Sequence, residues 1–160
     1  MSAASSMPTA SAAAPAKRGA ELPVTTKIRW EDLGKGMELP PRTFQLSAPW
    51  VEEYKAAVDD GAIDKLEMGV VPPMAVAALA IRSLLESVGL PPGAVHVGQE
   101  VAFLREASVG QRLRATAHVA SRGQRSGWAL VTIDQRIEDE EGRPVMNGRA
   151  TVTAPLSEAA

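Results

Sequence analysis

Between Gly69 and Arg105 the chain carries a segment that leaves little freedom about its surroundings. From Met74 to Val88 it is apolar at nearly every position, with charge only at Arg82 and Glu86. It is entered through Pro72-Pro73 and left through Gly89-Leu90-Pro91-Pro92-Gly93, after which a strand-like pattern begins. Proline in the first turn loses nothing, because the N–H it lacks would have no intrahelical partner. The pattern predicts a helix from about Pro73 to Val88. A rod this apolar needs cover on nearly every side, and the rest of the chain offers mainly strands to supply it. The expectation is a sheet wrapped around one central helix, and the loop entering that helix is the first place to look for a ligand.

Four segments downstream read as strands: Val95–Arg105, Leu113–Ala120, Trp128–Ile137 and Val145–Ala154. In the second, Leu113, Ala115, Ala117 and Val119 alternate with Arg114, Thr116 and His118; in the last, Met146, Gly148, Ala150 and Val152 form the inner face. Such alternation predicts antiparallel pairing with one face buried. Turn signals at Ser108-Val109-Gly110, Ser121-Arg122-Gly123 and Asp139-Glu140-Glu141-Gly142 make the connections short, as in a meander. Upstream, Arg42–Leu46 predicts a first strand. Ser47 and Pro49 then open a helix that runs to about Val58, with Val51, Tyr54, Ala57 and Val58 on one side. The fold class is α+β, with about five antiparallel strands around a long helix.

The 160 residues suit one domain. The first part, rich in Ala, Ser and Pro, reads as a disordered tail over residues 1–26, followed by a single domain over 27–156 and a short tail over 157–160. A net charge of -2 offers no basic face, so nucleic acid is not an expected partner. No apolar run reaches the roughly 20 residues a membrane span needs, so no membrane partner is expected and the location reads as cytoplasmic. Without cysteine the chain has no thiolate nucleophile and no Cys-based metal site. The two histidines, His96 and His118, have no carboxylate spacing that suits a metal. No metal and no cofactor are expected.

Five pieces, in order, resemble the MaoC-like dehydratase/hydratase branch of the hot-dog fold. They are Trp30-Glu31-Asp32-Leu33-Gly34-Lys35-Gly36 with Leu39-Pro40-Pro41-Arg42-Thr43; Val51 to Asp60; Val71-Pro72-Pro73-Met74; His96 to Arg105 with Val109-Gly110-Gln111-Arg112-Leu113; and Asp139 to Val145. The resemblance spans about 130 residues, from Trp30 to Pro155. It implies a hot-dog sheet around the helix and an acyl-CoA or acyl-carrier thioester held where the helix begins. It also implies assembly as a homodimer, or as a heteromer with a second hot-dog subunit.

Hydratases of that family carry an Asp and a His in a loop of the form Gly-Asp-x-Asn-Pro-x-His, which positions a water and exchanges a proton beside the thioester carbonyl. The corresponding loop here is Asp59-Asp60-Gly61-Ala62-Ile63-Asp64-Lys65-Leu66-Glu67-Met68-Gly69, in which Asp60 can take the Asp position and no histidine follows. Asp60 and Asp64 are the catalytic candidates, with Glu67 near the vacant place; a carboxylate is a weaker base than imidazole unless burial raises its pKa. Hot-dog thioesterases place a carboxylate in the early turns of the central helix, but Met74-Ala75-Val76-Ala77-Ala78-Leu79 has none. His96 reads as a structural donor at a strand start, and His118 as part of a solvated face. Gly69, Val70, Val71, Pro72, Pro73 and Met74 are the substrate-binding candidates, because the free N–H groups and positive end of a helix can polarise a thioester carbonyl. The resemblance thus implies a non-catalytic or partner-dependent subunit of an enoyl-CoA hydratase or 3-hydroxyacyl dehydratase. The alternatives are a thioesterase or hydratase with altered carboxylate chemistry, and a ligand-binding protein without chemistry.

Overall fold

The computed structural model describes residues 26–58, 61, 63 and 66–157. In chain order the elements are β1 (Ile28–Arg29), a 3-10 turn (Trp30–Asp32), β2 (Glu38–Gln45), α1 (Ala48–Val58), α2 (Pro73–Ser87), β3 (Val88–Gly89), β4 (Val95–Phe103), β5 (Arg112–Arg125), β6 (Trp128–Glu138) and β7 (Pro144–Pro155). Five of the strands form one antiparallel sheet in the order β2-β5-β6-β7-β4, and β1 pairs with β3 in a separate two-stranded parallel ribbon.

The expected meander holds for β5, β6 and β7 but not for β4, which crosses to the far edge and pairs with β7. The segment after β4 does not turn back as a hairpin. It runs past the helix entrance, where Ala107 O accepts from Val71 N at 2.8 Å and Val109 N donates to Gly69 O at 2.8 Å. Those bonds satisfy backbone groups that a tight hairpin would have used elsewhere. The two edge strands are thus β2 and β4. Pro40-Pro41 falls at the irregularity in β2 between Leu39 and Arg42, an edge position where proline removes no ladder bond.

The apolar segment forms α2 as expected, but its cover is one-sided. Ala75, Val76, Ala77, Ala80, Ser83, Leu84 and Ser87 are buried against the sheet. These residues are mostly small, so the helix lies close to the strands. On the opposite line Met74 is 55% and Leu85 39% exposed. A single sheet can wrap only part of a cylinder, so the remaining apolar stripe faces outward.

The core has two halves. Leu46, Val51, Val71, Ala75, Val76, Leu113, Ile137 and Met146 surround the first turns of α2. Trp30, Leu33, Leu84, Val88, Val119, Val131, Ile133 and Val152 surround its last turns. Between Ile133 and Ile137, the inward-facing Gln135 donates to Ala80 O at 2.9 Å. Arg42 donates to Ser87 Oγ at 3.2 Å and to Glu86 O at 3.1 Å, a cation at the carbonyl end of α2 where the helix dipole favours it. Arg122 holds the N-terminal turn, donating to Trp30 O at 2.7 Å with its guanidinium 5.7 Å from the Trp30 ring centroid.

Three further expectations are corrected. On α1 only Val51 is buried; Ala57 and Val58 are exposed, because the helix touches the core through its middle alone. Asp139 opens the expected turn, with Gly142 N donating to its carbonyl at 3.0 Å, but its side chain is not solvated: the residue is 3% exposed, and its carboxylate accepts from the Glu141 and Arg143 backbone N–H groups and from Arg143 Nε. In β4 the register shifts between His96 and Gly98, so simple alternation fails there. His96 lies opposite Val152 and Gln99 opposite Ala150, which puts both on the helix-facing side with Val101 and Phe103.

Candidate functional site

The entrance to α2 is built mainly from backbone. Gly69 has φ +87 and open space where a Cβ would stand, a left-handed conformation that glycine adopts without strain. Val70 N donates to Glu67 O at 3.1 Å, and the flanking carbonyls and N–H groups bind the Ala107–Val109 segment as described. Pro72 is the N-cap and offers no side-chain hydrogen bond; Pro73 occupies the first turn, which has no acidic residue. The first N–H that the helix presents therefore belongs to Met74. The positive end of the fifteen-residue α2 is neutralised by no residue of its own first turn.

The six substrate-binding candidates do not play equal parts. Gly69, Pro73 and Met74 are exposed and Val70 is half-buried, whereas Val71 and Pro72 are buried beneath them. A ligand at this entrance would meet Gly69, Val70 and Met74, with Val71 and Pro72 holding the turn from below. Phe103 and Leu104 at the end of β4 are 40% and 52% exposed, and Phe103 pairs opposite Met146, which packs in the same core half as Ala75 and Val76 of the first turn of α2. The entrance can polarise a carbonyl or hold an anion, and it can take an apolar chain alongside.

Asp60 and Asp64 lie outside the described residues. Glu67 is exposed at the approach to Gly69. His96 is exposed on β4, and its Nε2 lies 3.1 Å from Gln99 Oε1. Among the described residues no group of three or more His, Cys, Asp or Glu side chains could hold a metal ion.

Charged side chains on the outer face of the sheet form a row the sequence did not reveal. Register places Glu38 opposite His118, His118 opposite Asp134, Asp134 opposite Arg149, and Arg149 opposite Glu100. These residues line an open groove of about 630 Å³. Arg149 donates to both Asp134 oxygens, at 2.7 and 3.0 Å. Those hydrogen bonds, with the Arg149 charge, hold the Asp134 carboxyl below its usual range against the opposing effect of burial. Burial is also the largest single effect at Asp139 and pushes its pKa up, but the hydrogen bonds and charge of Arg143 together carry it lower. His118 was visible as part of a solvated face; the row needed the cross-strand register, which no single strand encodes.

A five-stranded antiparallel sheet covering one long helix, entered by a proline turn, has close counterparts among solved structures. The chain has the hot-dog fold. Residues 75–146, from the first turn of α2 to the start of β7, match the family model described as Thioesterase superfamily. A MaoC-like dehydratase from Rhodospirillum rubrum shares the hot-dog architecture with TM-score 0.65 and 19% identity, over 81% of this chain and 97% of that one. The (R)-hydratase from A. caviae involved in PHA biosynthesis gives TM-score 0.63 and 22% identity, over 79% and 98%. The C-terminally truncated HadBC complex, a 3R-hydroxyacyl-ACP dehydratase from Mycobacterium tuberculosis, gives 0.60 and 22%, over 75% and 96%. No curated protein sequence matches significantly. The MaoC-like resemblance read from the residues thus has structural counterparts, and at these identities what is shared is the hot-dog fold.

Proposed function

We propose that this chain is a MaoC-like hot-dog protein of acyl-CoA or acyl-carrier metabolism. It binds an acyl thioester at the entrance of α2 and acts as a non-catalytic or partner-dependent subunit of an enoyl-CoA hydratase or 3-hydroxyacyl dehydratase. The observation that carries this reading is the uncapped α2 N-terminus with the exposed apolar Met74 in its first turn, combined with a preceding loop that lacks the family's histidine. The backbone can polarise the thioester carbonyl without any side chain. Proton transfer then needs a group from elsewhere.

The free edge of β4 supports partner dependence. The strand pairs with β7 on one side only, is nine residues long, and exposes Val95 at 49% and Val97 at 53%. A long apolar edge invites another strand. Edge-to-edge pairing with a second copy, or with a related hot-dog chain as the HadBC name suggests for that complex, would join two sheets and bring the acyl chain to the seam.

The test is ligand-dependent stability. Butyryl-CoA at 100 times its Kd stabilises a protein that binds it only when folded by about 2.7 kcal/mol, and raises Tm by roughly 5–10 °C in a domain of this size. Free CoA and butyrate serve as controls. No shift with any acyl-CoA ester would leave the non-enzymatic reading without CoA chemistry.

The Thioesterase superfamily match favours a second reading, hydrolysis through Asp60, Asp64 or Glu67. Release of free CoA from saturated acyl-CoA esters, abolished by substitution of one of those carboxylates, would replace the first reading with this one.

A further inference from the structure

We draw no further inference here: the strongest candidate, the apolar groove of about 330 Å³ on the outer face of the sheet between Trp128 and Leu130 of β6 and Gly123 of β5, carries nothing, because nothing in the structure shows what covers it.

Discussion

Gln135 stands where the two halves of the core meet, and replacing it tests the packing argument directly. It is 4% exposed, its amide nitrogen donates to Ala80 O, and its Oε1 has no hydrogen-bond partner among the described residues. The space beside it, bounded also by Arg42, Ser83 and Ser87, is only about 10 Å³, at the lower limit for one water. Gln135→Met keeps the length and nearly the volume. It forfeits one hydrogen bond, worth about 1 kcal/mol net, but relieves a buried acceptor whose desolvation costs about 1–3 kcal/mol. Ala80 O is not orphaned, since Ser83 Oγ still donates to it at 2.7 Å. The expected outcome is stabilisation by about 1 kcal/mol, a rise in Tm of roughly 2–4 °C for a domain of this size. Urea denaturation followed by circular dichroism should show a higher midpoint with an unchanged slope. Destabilisation by more than about 1 kcal/mol would refute the reasoning, because it would mean that Oε1 is satisfied in solution.

Acid stability should depend on Asp134. Its folded pKa is depressed by Arg149, so its contribution is complete above the unfolded carboxylate value of about 3.9 and is lost as pH falls from there through the folded value. Asp134→Asn should therefore narrow the stability gap between neutral pH and pH about 3; an unchanged acid transition would show that the pair contributes nothing. The β4 edge should be the assembly surface: Val97→Glu with Phe103→Glu places charge along the exposed apolar edge and should give a folded monomer by analytical ultracentrifugation. A variant that sediments like the parent would move the seam elsewhere.

The pattern of residues determined the class of fold. An apolar helix with a proline entry, followed by alternating strands, can bury its surface in few ways, and those periodicities are local. The α2 boundaries, the inner faces of β5 and β7, and the turn at Asp139–Gly142 were legible for that reason; the turn expected at Ser121-Arg122-Gly123 was not, because β5 runs on to Arg125 and the chain reverses at Ser126-Gly127, where both residues have positive φ. The turn into α2 was also legible, because Gly69 and Pro72-Pro73 shape the backbone there by their own conformational limits. Tertiary structure decided what depends on pairing. That β4 lies beside β7 rather than β5, that a shifted register turns His96 toward the helix side, and that five charged residues align in one row all depend on which strand meets which. The exposed stripe of α2 belongs there too: the sequence shows that a helix needs cover, but only the curvature and width of the actual sheet set how much one chain supplies. The apolar segment that made the fold readable is therefore covered on one side by its own chain, and Met74 and Leu85 remain exposed on the other.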